Sequence, residues 1–282
     1  MRHPEQGGQP KDSAEQTLRR TNPLAIVTSF IRKTLAIAEM EARKMRHDPT
    51  ELVFRAVQPA LWLLVFGQVF TRTHAIPTGN LSYLDFMTPG VLAQSVLFIA
   101  IFGGMTIIWE RDLGIIHKFV ASPTPRVALS LGKALAGGVS ALSQAVVVYV
   151  LALLLHVNIN WNPLSLIGVL IIILLGAATF TAFSLVIAFL VRTRERFMGI
   201  GQVLTMPLFF ASNALYPISI MPDWLKVVSR INPLTYQVDA LRGLMLSGGS
   251  SSFGLPLDFG VLIMATTILV IISGRLYPRA AT

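Results

Sequence analysis

Trp109-Glu110-Arg111-Asp112-Leu113-Gly114-Ile115-Ile116-His117-Lys118-Phe119-Val120-Ala121-Ser122-Pro123-Thr124-Pro125-Arg126 lies between two long apolar runs, and its reading decides the fold. A chain that only had to reverse between two membrane helices needs about four or five polar residues. This stretch instead places three consecutive charges at Glu110, Arg111 and Asp112, then an amphipathic half-turn, then Ser122-Pro123-Thr124-Pro125. It reads as a segment that receives work from another protein.

The flanking runs set the class. The 282-residue chain is 53% hydrophobic and only 13% charged, about half the charged share of a soluble domain. Uninterrupted apolar runs of about 20 residues are the length that crosses a bilayer. The expected fold is therefore all-α, a polytopic membrane protein with six spans: about 52–70, 89–109, 127–156, 163–191, 197–216 and 255–276. The lack of cysteine excludes disulfides and thiolate chemistry. The net charge of +9 does not point to nucleic acid, because the basic residues cluster beside apolar runs.

Ahead of the first span, residues 1–22 read as a disordered cytosolic tail without the apolar core of a signal peptide. Residues 23–48 carry Val27, Phe30, Ile31, Leu35, Ala38, Ala42 and Met45 at helical spacing opposite Arg32, Lys33, Arg43, Lys44 and Arg46. That pattern predicts an amphipathic interfacial helix, ended by Asp48-Pro49. Residues 49–282 form the six-span membrane domain. Between spans 5 and 6, residues 217–256 are less apolar and hold two short helices. The first is about 222–231; the second starts with Asn232 as N-cap and Pro233 at the first helical position.

Lysine and arginine counts orient the chain. One side holds 9 before residue 50, 4 in 110–133, 3 in 192–196 and 2 after 274; the other holds 1 in 71–88 and 3 in 217–256. Basic residues stay cytoplasmic, so both termini and the 109–126 segment are expected in the cytoplasm of a multi-pass cell-membrane protein.

The chemistry is informative by what is missing. The titratable residues within those bounds, Arg55, Lys133, His156, Asp258 and Arg275, all lie toward span ends, whereas ion-coupled transporters place titratable groups at mid-membrane. The histidines (3, 47, 74, 117, 156) are scattered, and no metal site is expected. Gly132-Lys133 lacks the glycine at 127 and hydroxyl at 134 of a phosphate-binding loop. No cofactor, nucleotide site or catalytic residue is expected in this chain; energy must come from an ATPase partner that binds ATP and Mg. Amides inside the spans, such as Gln94, Gln144 and Asn213, either line a path for amphipathic cargo or make interhelical hydrogen bonds. A non-transporting scaffold or sensor is the alternative, and a lipid-acting enzyme is disfavoured by the missing catalytic cluster.

Glu110-Arg111-Asp112-Leu113-Gly114 followed by Ser122-Pro123, and Asn232-Pro233-Leu234-Thr235-Tyr236 leading to Asp239-Ala240-Leu241-Arg242, resemble the permease subunits of ATP-binding-cassette type-2 exporters. Asn213-Ala214-Leu215-Tyr216-Pro217 is similar to the end of their fifth span. The likeness covers roughly residues 40–275 and includes the daunorubicin-type drug exporters and nodulation-factor exporters. It departs at Ile115-Ile116, where the family usually carries Thr and Leu. The resemblance implies two permease copies with two cytosolic ATPases, and export of drug-like cargo first, lipid or lipid-linked glycan second. It implies ATPase coupling by Glu110, Arg111, Asp112, Gly114, Ser122 and Pro123. It also implies a re-entrant outer motif carrying Asn232, Pro233, Tyr236, Asp239 and Arg242, on two short helices that dip back from the outer face.

Overall fold

The computed structural model describes residues 49–73, 76–79, 81–113, 126–191 and 193–276. The expected tail, the amphipathic helix over 23–48, and Gly114, Ile115, Ile116, Ser122 and Pro123 lie outside the described residues. Every regular element is helical, with no strand among the described residues.

Helix α1 (Pro49–Leu61) passes into a π-helical turn, Trp62–Gly67, and then α2 (Gln68–Thr73). Pro59 lies within α1 just ahead of this re-registered ladder. It has no N–H to give the Arg55 carbonyl, and π-turns of this kind accommodate such interruptions. The carbonyl is served from outside: Gln144 Nε2 donates to Arg55 O at 3.1 Å.

Helix α3 (Tyr83–Gly103) begins six residues before the run expected from Pro89. Ser82 caps it, its hydroxyl accepting the Asp85 N–H at 3.0 Å, and Asp85 sits where the helix dipole favours a negative charge. This start includes Pro89 in the helix. Gly90, one residue on, permits a close approach, since an added Cβ there would lie 2.7 Å from Ala214 Cα. Gly104 joins α3 to α4 (Met105–Asp112), and Ser184 Oγ donates to Ile101 O beside the joint.

The remaining helices are α5 (Arg126–Leu154), α6 (Pro163–Leu190), α7 (Arg194–Phe210), α8 (Asp223–Ile231), α9 (Pro233–Met245) and α10 (Leu255–Leu276). Asn162 and Thr193 cap α6 and α7 through their side chains. The fifth apolar run ends as helix at Phe210, and Asn213 and Tyr216 fall in the turns beyond it. Asn232 caps α9, its Oδ1 accepting the Leu234 N–H at 3.0 Å, with Pro233 at the first helical position.

Four helical runs are long and apolar enough to cross a membrane: Tyr83–Asp112, Ser130–Leu154, Pro163–Leu190 and Leu255–Leu276. Helix α6 is the axis, packing against α3, α5, α9 and α10. Ile172, Ala177, Phe180 and Leu185 are buried on it. On α5, Ser130 and Ala134 are buried, and Gly138 meets Leu174 of α6. Small residues at this spacing let two helices approach closely. Helix α10 buries Leu262, Thr266, Val270 and Ser273, and exposes Ile263, Met264, Ile268 and Ile271. An apolar exposed face on a helix of this length suits lipid as its solvent.

Candidate functional site

Polar contacts gather at the two opposite ends of this bundle. At one end, a small apolar cluster of Ile107, Ile108, Leu185, Phe189 and Phe197 joins α4 to the end of α6 and the start of α7. The charges of the opening segment surround it. Lys133 Nζ on α5 donates to both carboxylate oxygens of Glu110 at 2.7 Å. Arg194 on α7 donates to Asp112 Oδ2 from Nη2 at 2.6 Å and from Nε at 3.1 Å, and its guanidinium lies 5.7 Å from the Trp109 ring centre. Arg111 Nη1 donates to Val191 O at 3.1 Å, at the end of α6. Three consecutive charges thus reach three different helices. The Asp112–Arg194 pair is open to water, with side-chain exposures of 45% and 49%, whereas Glu110 and Lys133 are 25% and 23% exposed.

At the opposite end the polar groups are buried. Asp239 on α9 is fully buried. Its Oδ2 accepts from Ser251 Oγ and from the Phe253 N–H, both at 2.9 Å, and its Oδ1 accepts from Asn213 Nδ2 at 3.3 Å. Arg242, one turn on, has Nη1 4.0 Å from Asp239 Oδ1, and its Nη2 donates to Asn213 O at 2.8 Å. Its guanidinium lies 3.8 Å from the Phe86 ring centre, a cation–π contact with α3. Burial pulls Arg242 down to about 10, opposed by the nearby Asp239 charge, so the group stays charged at neutral pH. Ser251 Oγ also lies 2.8 Å from Asp258 Oδ2 and accepts the Gly254 N–H at 2.7 Å. A hydroxyl has one hydrogen, so Ser251 donates to one of the two carboxylates at a time.

Further ties close this end. Asp85 at the start of α3 accepts from Asn158 N and Nδ2, each at 3.1 Å. Ser247 N donates to Asn158 O at 2.9 Å, and Asn160 N donates to Met245 O at 2.8 Å. Tyr236 OH donates to Arg230 O at 2.6 Å, and Asn232 Nδ2 donates to Leu208 O at 2.7 Å, fixing the α8–α9 corner against α7. A cavity of about 430 Å³ opens beside the network, lined in part by Arg230, Arg242, Asn213 and Phe86.

The structure therefore brings Asn213, Asp239 and Arg242 into one network, with Asn232 and Tyr236 bracing its rim. Gln94 is buried in α3, and Gln144 is held by the Arg55 carbonyl. Sequence reasoning did not find Lys133 and Arg194 as partners of Glu110 and Asp112, nor Ser251 as the link between Asp239 and Asp258. Opposite charges at neighbouring span ends were the available signal for the first two. For Ser251 there was none, because a loop serine carries no pattern. Among the described residues, no group of three His, Asp or Glu comes together that could hold a metal.

The described residues are helical, four of their runs are long and apolar enough to cross a membrane, and Glu110, Arg111 and Asp112 reach α5, the end of α6 and α7. The family model described as ABC-2 type transporter matches residues 32–246, and the chain belongs to that family. It is similar to the putative transport permease ycf38 of Cyanophora paradoxa, 29% identical over 77% of this chain and 76% of that protein. It is also similar to the daunorubicin resistance ABC transporter permease protein DrrB1 of Streptomyces coeruleorubidus, 24% identical over 95% of this chain and 89% of that one. A third relative is the probable doxorubicin resistance ABC transporter permease protein DrrC of Mycobacterium tuberculosis, strain H37Rv, 23% identical over 90% and 91%. The chain is thus a multi-pass transport permease subunit whose family works with a separate ATP-binding-cassette subunit.

Proposed function

We propose that this chain is the membrane subunit of an ATP-driven exporter that moves hydrophobic or amphipathic cargo out of the cytoplasm. Two copies pair with each other and with two cytosolic ATPases. Six spans result when the helical run 49–73 and the 17-residue α7 are counted with the four longer helices; α7 alone rises about 26 Å. Both termini and the 109–126 segment face the cytoplasm, and α8 and α9 dip back into the outer face.

The observation that carries this reading is the triple attachment of the segment's base. Glu110 holds α5, Asp112 holds α7, and Arg111 holds the end of α6. When ATP closes the two ATPases, a displacement of residues 114–125 pulls on three helices at once and opens a path between the two permeases. Drug-like cargo is ranked first. The named relatives in Streptomyces and Mycobacterium are daunorubicin and doxorubicin resistance permeases. A second cavity, of about 280 Å³, is walled by Trp62, Phe66, Phe70, Tyr83, Phe210 and Tyr216, a surface that suits a flat aromatic ring.

The test uses inverted membrane vesicles containing the permease and its co-purifying ATPase. Glu110→Ala/Arg111→Ala should abolish ATP-dependent cargo uptake while the amount of inserted permease stays unchanged. Uptake at the wild-type rate would remove the coupling role. ATP hydrolysis stimulated by a planar drug, a phospholipid or a lipid-linked glycan ranks the cargo, and a response to the glycan alone would overturn the drug-first order.

A further inference from the structure

The cavity of about 430 Å³ at the Asp239 end has a chemistry that the export reading does not use. Its volume falls in the range of small-molecule sites, well above that of a bare ion. Two arginines line it, Arg230 and Arg242, together with Thr78, Ser219, Ser250 and Ser252; the Thr78 hydroxyl donates to Leu81 O at 2.7 Å. No carboxylate lines it among the described residues. The charge that balances Arg242 is Asp239, which is turned toward Ser251, the Phe253 N–H and Asn213.

Arg242 is the decisive group. It is 5% exposed, and its Nε has no hydrogen-bond partner although its Nη2 has two. A buried guanidinium N–H without an acceptor is costly, and this one belongs to a side chain that forms part of the cavity wall. Arg230, on the exposed side of α8, has no acceptor for its guanidinium among the described residues, and only its carbonyl is engaged, by Tyr236. A carboxylate offers two oxygens to such a wall. A phosphate group offers more acceptors to two planar forks, and arginine matches it bidentately.

We propose that this cavity is a binding site for a phosphate group, held by Arg242 from below and Arg230 from the rim. Two sources carry that chemistry: the headgroup of an anionic phospholipid, and a soluble phosphorylated molecule. The site lies on the opposite end from the Glu110–Lys133 and Asp112–Arg194 pairs, and its occupancy does not depend on whether the protein exports anything.

Binding to the full-length purified protein in neutral detergent is measured by native mass spectrometry with dioctanoylphosphatidylglycerol, dioctanoylglycerol, glycerol 3-phosphate and inorganic phosphate as probes. The phosphate-bearing lipid or glycerol 3-phosphate should bind, and dioctanoylglycerol should not. Arg230→Gln should weaken that binding at least about tenfold, the size of one charge-assisted contact, and added salt should weaken it as well. Binding of the phospholipid without competition from glycerol 3-phosphate identifies a lipid headgroup, and equal binding of the two identifies a soluble phosphate. Arg242→Gln should remove binding where the variant remains monodisperse; because Arg230 is exposed, Arg230→Gln decides the matter where it does not. Equal retention of dioctanoylglycerol, no binding of any phosphate probe, or an affinity unchanged by Arg230→Gln would overturn the site.

Discussion

The two ends of the bundle solve opposite problems with the same residue types. At the 110–112 end, each acid–base pair joins two helices at partly exposed positions, about half exposed for Asp112–Arg194 and a quarter for Glu110–Lys133, within reach of water. At the 239–242 end, acid and base are buried, 0% and 6% exposed by side chain, and their hydrogen bonds come from Phe86 on α3, Asn213, Ser251 and Phe253. Ion pairs in water cost little to break, whereas a buried charge that loses its partner keeps its full desolvation penalty. One end is therefore built to rearrange and the other to stay assembled. That asymmetry suits the drive from the 109–126 segment proposed above.

The largest effect that sharpens the contrast is Asp239→Ala. It strands the Arg242 charge and orphans the Phe253 N–H, so the protein should lose about 3–5 kcal/mol, read as a fall in denaturation midpoint in detergent. Asp239→Ala/Arg242→Met should recover part of the loss, because the pair then leaves no buried charge. A loss no larger than that of an exposed pair would erase the difference between the ends.

Between the ends stands the Pro59 interruption. Gln144→Leu leaves the Arg55 carbonyl without its donor and should cost about 1–3 kcal/mol. Pro59→Ala restores a backbone N–H at the position that normally serves that carbonyl. The double variant should be more stable than Gln144→Leu alone, and failure of this rescue in the same melting assay would mean that Gln144 is held for another reason. Smaller again is Asp258→Asn. An amide hydrogen pointed at Ser251 Oγ lets that hydroxyl give its single hydrogen to Asp239. The change should cost about 1 kcal/mol or less, against the much larger loss at Asp239.

These differences mark what a sequence can disclose. The long apolar helices were legible because transfer from water to lipid depends on composition along one stretch and on no partner. The Asn232-Pro233 helix start was legible for a similar reason, since a cap is made within three residues. The motifs at 110–114 and 232–242 also pointed to the family. The start of α3 was harder: Pro89 looked like a boundary, and the Ser82–Asp85 cap, seven residues earlier, overrode it. The π-turn at Trp62–Gly67 has no residue pattern of its own. Pairings across 23 and 82 residues of chain, Glu110 with Lys133 and Asp112 with Arg194, depend on tertiary placement and were not legible at all. The buried network was legible only as a set of motif residues, without the Ser251 link that holds it together.

The smallest expected effect on stability is the most telling about function. Asp112 and Arg194 are each nearly half exposed, so breaking their pair by Asp112→Asn should change stability by only about 0.2–1 kcal/mol, and high salt should mask even that. Should the pair carry motion from the 109–126 segment to α7, ATP-dependent transport must fall far more than stability does. The charge-swapped pair, Asp112→Arg with Arg194→Asp, should then restore part of the transport that either single change removes. Proportionate losses of stability and transport would make the pair a mere brace. Undiminished transport in Asp112→Asn would leave Glu110–Lys133, Arg111–Val191 and the Trp109–Arg194 contact as described links by which the segment acts, and would shift the drive from the α7 ion pair toward α5 and α6.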